Sequence, residues 1–195
     1  KPFVEANPEL PPLFGAALSR LARTVSSPRA RETGLAWFTH CTERQQRLGE
    51  IILAHNATTD DLELLKSAVQ PALTHDNMYR LCSIVEGLER IGSPHAWPEL
   101  SLAFHEATYS YARARIANAL STCAPNRFTE ELAPDSLWDC EDQVREIACG
   151  VVNPEQPETR TKLTALAADP HEDEAVRKAA TRHLARTDPP TAGYG

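Results

Sequence analysis

The sequence predicts an all-α protein assembled from repeated pairs of helices, and three observations support this prediction. Apolar residues recur at intervals of three and four along most of the chain, which is typical of the buried face of a helix. No segment shows the strict apolar and polar alternation of a half-buried strand. Three segments also resemble one another at a spacing of 32 residues, and such a period is typical of stacked repeat units.

The N-terminal part of the chain is predicted to be an arm followed by helices. Residues 1–12 contain four prolines and are expected to be extended. A first helix is expected over Leu13–Val25, before a Ser-Ser-Pro break. A long helical stretch then runs from about Arg29 to His55, although Gly34 and Gly49 interrupt its pattern.

Two more helices are predicted between residues 59 and 92. Thr59 is expected to cap the first of them, and Pro71 is expected to kink or end it. Gly92 is expected to end the second in the left-handed conformation. The apolar stripe of this second helix comprises Met78, Leu81, Val85, Leu88 and Ile91.

The repeat is clearest in three segments, 112–120, 144–152 and 176–184. Each has apolar residues at its first, fifth and ninth positions, which lie on one face of a helix. A shorter helical pattern precedes each segment. Because a pair of short helices cannot bury its apolar face alone, we expect several pairs to stack side by side.

An arginine occupies the second position of each repeated segment, at Arg113, Arg145 and Arg177. These side chains could bind anions. The alternative, which we favour, is that each reaches an acidic or carbonyl partner in the next layer and helps to set the stacking.

Two stretches of the C-terminal half share a recognisable pattern. The first is Ile91-Gly92-x-Pro94-x-Ala96-x-Pro98-x-Leu100, followed by Arg113 and Leu120. The second is Leu166-x-x-Asp169-Pro170, followed by Val176, Arg177, Ala179, Ala180 and Leu184. This pattern resembles the HEAT-like repeats of the phycobilisome-lyase type, well over 91–186 and loosely over 59–91. The third unit, which contains the segment 144–152, departs from this pattern, because 126–134 leaves room for only a short first helix.

The resemblance implies a right-handed α-solenoid of about five antiparallel helix pairs. It places one domain over 13–186, with the clearest repeats at 91–186, between the arm and a flexible tail at 187–195. Such solenoids most often serve as binding surfaces, and a minority are enzymes, including alkylpurine DNA glycosylases and bilin lyases. The fold by itself does not choose among these roles.

Composition and charge exclude several classes of protein. The 195 residues carry a net charge of −7, which disfavours a protein drawn to nucleic acid by bulk charge. No apolar run approaches the roughly 18–20 residues of a membrane span. The five cysteines form no closely spaced pair, which indicates small buried residues in a reducing, cytoplasmic setting. No catalytic, cofactor-binding or metal-binding motif is recognisable.

The best candidate for a binding surface is an acidic segment. Residues 129–175 contain thirteen acidic and three basic side chains. The simpler interpretation is a solvated face together with acids at helix starts, but such a patch would also attract a basic partner. Trp138 lies in a turn of this segment, where it could be an interface anchor, although we favour packing in the core against the short first helix. The candidate partner-binding residues are Trp138, Asp139, Glu141, Asp142, Glu146 and Glu174.

The sequence therefore favours a non-enzymatic interaction module for a protein partner with a basic surface. A bacterial adaptor, or an immunity or inhibitor protein against a basic nuclease-type toxin, would fit. One alternative is a HEAT-like alkylpurine DNA glycosylase or other nucleic-acid-binding protein. Another is a lyase, or lyase subunit, for a small ligand. The basic residues available to a nucleic-acid groove are Arg113, Arg115, Arg127, Arg177, Lys178 and Arg182.

Overall fold

The computed structural model describes residues 20–40 and 43–187, and within these ranges the chain is helical between short turns, with no strand. The all-α prediction is therefore confirmed for this part of the chain. The predicted arm at 1–12 and most of the first predicted helix lie outside the described residues. So does the predicted tail from residue 188 on, whereas its first residue, Thr187, ends the last helix.

Nine helices of ten or more residues follow one another in the described part. They are α1 (Pro28–His40), α2 (Glu43–Asn56), α3 (Leu62–Thr74), α4 (Met78–Ile91), α5 (Trp97–Glu106), α6 (Ser110–Cys123), α7 (Asp142–Val151), α8 (Pro157–Ala168) and α9 (Glu174–Thr187). Within these described ranges, no helix combines the length and the apolar character needed to cross a membrane.

Sequence-adjacent helices pack as pairs. Helix α1 contacts α2, α3 contacts α4, α5 contacts α6, and α8 contacts α9. The second members of the pairs also touch in series, from α2 through α4, α6 and α7 to α9. These contacts bury one continuous apolar core from Phe38 to Ala180, as expected for units that cannot bury their apolar faces alone.

The predicted long helix over 29–55 is wrong in one respect, because it is two helices, α1 and α2. The two glycines that interrupt its pattern mark where these helices cross. A Cβ atom on Gly49 would lie only 2.7 Å from the backbone nitrogen of Phe38 and 2.9 Å from the carbonyl oxygen of Gly34. Only glycine allows the two backbones to approach this closely.

The expected helix boundaries near residues 59–92 are partly corrected. Thr58, not Thr59, is the cap, and it forms a capping box with Asp61 before α3 begins. Pro71 lies inside α3, which continues to Thr74, so it does not end the helix. Gly92 adopts the left-handed conformation with φ 66° at the end of α4, as predicted.

The irregularity expected in the third unit is present. The place of a first helix is taken by three short pieces, Pro125–Arg127, the π-helix Phe128–Leu132 and Ala133–Ser136. This irregular segment packs against α7. Phe128 is fully buried, so the segment still fills its share of the core.

Two of the three arginines at the second position of the repeated segments join neighbouring units. Arg113 bonds the carbonyl oxygen of Phe104 at 2.7 Å and the carboxylate of Asp139 in the following turn. Arg145 repeats this arrangement with the carbonyl oxygen of Asp139 at 2.7 Å and the carboxylate of Glu172 at 2.5 and 2.9 Å. The prediction that these arginines reach an acidic or carbonyl partner in the next layer is confirmed for both, because each bonds a carboxylate there. The carbonyl partner of each arginine precedes it in the chain.

The third arginine, Arg177, lies in the last helix of the described chain. Its Nε atom is buried without a hydrogen-bond partner among the described residues. The position that would supply its carboxylate lies one unit further on, beyond residue 187. In the part of the chain that the structure describes, Arg113 and Arg145 therefore each bond a carboxylate of the next unit, and Arg177 does not.

Candidate functional site

Four of the six predicted partner-binding residues lie at the junction between the irregular segment and α7, namely Trp138, Asp139, Glu141 and Asp142. Trp138 is 71% exposed, so the favoured prediction that it packs in the core is wrong. The Nζ atom of Lys162 lies 3.7 Å from the centroid of its ring. An exposed tryptophan that carries a cation on its face is suited to contact with a partner.

Two of the six predicted residues are already engaged within the chain. The side chain of Asp139 is only 5% exposed and pairs with Arg113. Burial opposes its charge, but hydrogen bonds from Arg113 and from the backbone of Glu141 outweigh that effect and lower the pKa of the carboxyl group. Asp139 thus has a structural role. Glu174 pairs with Lys178 one turn later at 2.5 Å, on an exposed helix surface.

Glu141 and Asp142 line a shallow acidic pocket of about 420 Å³ between successive inter-helix turns. Glu172 and Asp173 complete its set of four carboxylates, while Arg145 is the facing guanidinium and is already bound to Glu172. This pocket suits a cationic group, because its negative charges outnumber the positive ones. We refer to Trp138, Glu141 and Asp142, together with this pocket, as the acidic surface.

Glu146 lies on a different feature, a groove of about 670 Å³ on the second helices. Arg115, Arg182 and Arg186 also line this groove. The six predicted residues therefore do not form a single site. Three contribute to the acidic surface, and Asp139 belongs to an inter-unit bond. Glu146 and Glu174 lie together in a separate shallow pocket of about 610 Å³.

The structure also contains a second cleft that the sequence analysis did not predict. It has a volume of about 680 Å³ and lies between α2, α4 and α6. Three tyrosines, Tyr79, Tyr109 and Tyr111, project into it. Its charged side chains are Arg23, Arg47, Arg80, Arg115, Glu50 and Glu86. We refer to it as the tyrosine cleft.

The tyrosines form a continuous row. The ring centroids of Tyr79 and Tyr109 are 6.0 Å apart, and those of Tyr109 and Tyr111 are 5.9 Å apart. A guanidinium group lies over each end of the row, Arg47 at 5.7 Å from Tyr79 and Arg115 at 4.4 Å from Tyr111. The rings nevertheless remain accessible, since Tyr79 is 63% and Tyr111 44% exposed.

The repeat period contains a signal that could have revealed this row. Arg47, Tyr79 and Tyr111 are separated by 32 residues each, so they occupy the same position in three successive units. Residues at one repeat position become neighbours when the units stack. The weak N-terminal match to the repeat concealed this relation, because the sequence analysis found no reliable unit before residue 59.

Two carboxylates lie at the base of the tyrosine cleft. Glu86 bonds to Arg115 and lies 3.8 Å from Arg23. Glu50 is buried, with one oxygen 3.2 Å from Nε of Arg80. Burial raises the pKa of the Glu50 carboxyl group, and the nearby arginines only partly offset that effect.

The raised pKa of Glu50 gives a pH-dependent prediction. Its folded-state environment favours the protonated form, so the stability contributed by this group is lost as the pH rises through its folded pKa. Glu50→Gln should therefore increase the melting temperature relative to the wild type above neutral pH, and the gain should shrink towards pH ~4. Thermal melts across this range would measure it. Glu155→Gln, at an exposed glutamate, is the control, and an equal pH-dependent gain in that variant would contradict the assignment.

The basic residues proposed for a nucleic-acid groove gather only in part. Arg113 is used between units, and Arg127 lies over the ring of the buried Trp97, 4.4 Å from its centroid. Arg115 and Arg182 alone among the six line the groove on the second helices. Arg177, Lys178 and Arg182 line a shallow pocket of about 610 Å³, but Glu146 and Glu174 line it too. The sequence-predicted set is therefore interrupted by glutamates.

The buried thiols are unsuited to nucleophilic chemistry. Cys82, Cys123 and Cys149 are free and buried, as predicted, whereas Cys140 is exposed and Cys41 lies outside the described residues. Burial raises the pKa of Cys123 to about 11 and that of Cys149 to about 12, so both remain protonated at neutral pH. Within residues 20–40 and 43–187, no three His, Cys, Asp or Glu side chains could jointly hold a metal ion.

The geometry of the described residues defines two candidate surfaces. The chain offers an exposed tryptophan beside an acidic pocket, and a tyrosine row in a cleft bordered by arginines. Comparisons with models of protein families, with curated proteins and with solved structures found no match to this chain.

Proposed function

We propose that this protein is a non-enzymatic interaction module that binds a protein partner through a basic patch on that partner. In this proposal the helix pairs form a right-handed α-solenoid of five HEAT-like units, and the protein acts in the reducing cytoplasm. The series of contacts between second helices supports the solenoid arrangement. An adaptor, or an inhibitor of a basic toxin, is the corresponding biological role.

The exposure of Trp138 is the observation that carries this proposal, since Trp138 lies two residues before Cys140 in the lining of the acidic pocket. Large aromatic side chains anchor interfaces because they bury much area at a small entropic cost. The four carboxylates of the pocket leave an excess of negative charge after Arg145 is counted, and this charge would steer a basic partner into place.

The alternative functions receive less support. An alkylpurine DNA glycosylase needs a basic groove for duplex DNA. Two of the basic residues expected to build it are used elsewhere in the fold, and the other four share their pockets with glutamates. No observation in the described residues favours a lyase. The raised thiol pKa values of Cys123 and Cys149 further argue against a cysteine nucleophile.

Charge reversal at the acidic surface tests the proposal. The probe is a short oligolysine peptide, and binding is followed by calorimetry and by the intrinsic fluorescence of the three tryptophans, of which Trp138 is the exposed one. Glu141→Lys combined with Asp142→Lys should weaken binding at least about tenfold, because two attractive charges become repulsive. Trp138→Ala should weaken it by calorimetry as well, since the aromatic anchor is lost.

The matched control is Glu155→Lys combined with Glu158→Lys. It makes the same change in net charge at exposed positions around the start of α8, outside the acidic pocket. This control should retain most of the binding. If both double variants lose binding equally, the peptide responds only to bulk charge and the proposal fails. If neither variant loses binding, no defined surface is involved and the proposal fails as well.

A further inference from the structure

The tyrosine cleft is a second candidate binding site, and its chemistry differs from that of the acidic surface. Four guanidinium groups face two carboxylates within it, so it is locally basic in a chain whose net charge is −7. Guanidinium groups carry only hydrogen-bond donors. Its ligand should therefore be rich in acceptors and negatively charged.

The tyrosine row adds a requirement for flat rings. Tyr79, Tyr109 and Tyr111 expose part of their surfaces, and partly exposed aromatic rings offer faces on which other planar groups can stack. Acidic peptides supply negative charge but few rings. Nucleotides supply both, since each carries a phosphate and a planar base.

From this combination we infer that the tyrosine cleft binds single-stranded nucleic acid. The phosphates lie against the arginines of the cleft, and the bases stack on the tyrosine row. Stacking of this kind needs unpaired bases, because in a duplex the faces of the bases are already covered by their neighbours. The inference adds a ligand and a site to the proposed function and does not depend on the acidic surface.

The cleft continues along the second helices, as a strand of several nucleotides requires. Tyr111 and Arg115 line both the tyrosine cleft and the adjoining groove of about 670 Å³. Arg182 and Arg186 lie further along that groove, opposed by Glu89 and Glu146. The two features share their boundary residues, so a chain of phosphates can pass from one to the other.

The carboxylates of the cleft do not reverse its charge. Glu86 is neutralised by Arg115, and Glu50 is buried beside Arg80. Arg47 remains over the exposed ring of Tyr79, where a phosphate and a stacked base could be held together. The acidic residues of 129–175 oppose binding at long range, and salt screens this repulsion beyond about 10 Å at 0.1 M ionic strength.

Fluorescence anisotropy with a labelled oligothymidylate of about twelve nucleotides tests the inference. Titrations near 50 mM salt should give saturable binding that weakens as salt is added, since phosphate contacts release counterions. Tyr79→Ala combined with Tyr111→Ala should reduce the affinity at least about tenfold. Tyr79→Phe combined with Tyr111→Phe should stay within about twofold of the wild type, because the ring faces are retained.

Two single variants distinguish binding in the tyrosine cleft from binding elsewhere on the surface. Arg47→Gln should weaken binding and flatten its salt dependence, whereas Arg29→Gln, which removes an exposed arginine outside the cleft and the adjoining groove, should leave it unchanged. Circular dichroism shows whether each variant is folded. The inference is overturned if the wild type does not bind the oligonucleotide, or if the alanine variant binds as well as the phenylalanine variant. It is equally overturned if a duplex, or thymidine monophosphate alone, binds as tightly as the single strand.

Discussion

Gly49→Ala is expected to destabilise the protein by about 3 kcal/mol, the upper part of the range for overpacked sites. The added Cβ would lie 2.7 Å from the backbone nitrogen of Phe38, 2.8 Å from Cβ of Trp37 and 2.9 Å from the carbonyl oxygen of Gly34. These are backbone or Cβ atoms of α1, so α1 itself must move to make room. Urea denaturation would measure the change in the free energy of unfolding.

The same substitution at Gly150 is the matched control, and it should have the opposite sign. Gly150 lies inside α7, and no atom is within 4 Å of the position of its Cβ. Alanine there should stabilise the protein by about 0.5–1 kcal/mol through its higher helix propensity. Equal effects of the two substitutions would contradict the close crossing of α1 and α2.

Arg145→Met should cost about 2–3 kcal/mol of stability, somewhat below the range for breaking a fully buried ion pair. The side chains of Arg145 and Glu172 are 16% and 9% exposed. The substitution leaves the carboxylate of Glu172 and the carbonyl oxygen of Asp139 without their donor. In a domain of this size the melting temperature should fall by about 4–12 °C, which calorimetry would record.

Arg177→Met is the control at the same repeat position. Because Arg177 makes no inter-unit bond among the described residues and its Nε is unpartnered, the change should stay below about 1 kcal/mol. If both arginines contribute equally, the inter-unit bonds do not account for the stability.

The stability difference between the wild type and Arg145→Met should also depend on pH. Hydrogen bonding from Arg145 lowers the pKa of Glu172 below its ordinary value of 4.5. The resulting stability is present above that ordinary value and is lost as the pH falls through the lowered folded pKa. Denaturation curves taken between neutral pH and about pH 3 should therefore converge.

Local patterns in the sequence predicted the helical class and the inter-unit role of the arginines. Apolar spacing and turn residues act over a few positions, so they can be interpreted without knowing what packs against them. The 32-residue period extended this interpretation to Arg113 and Arg145, whose partners lie one unit further on. The local patterns failed for 29–55, where Gly49 allows α2 to approach α1 closely.

The candidate sites were predicted less completely, because acidic composition does not reveal which carboxylates are already paired. Asp139 is buried against Arg113, whereas Glu141 and Asp142 line an acidic pocket. The sequence could not predict the tyrosine cleft completely. The 32-residue period relates Tyr79 to Tyr111, but it relates neither of them to Tyr109.

The sequence by itself determined that the chain forms helices in pairs and which residue type stands at each repeat position. Those properties follow from local backbone preferences and from the periodic burial of apolar side chains. Only the tertiary structure decided which charges pair with one another, where α1 and α2 cross, and which rings meet in a cleft. Contacts of these kinds depend on distances of a few ångströms between residues that lie far apart in the chain, and no local pattern specifies them.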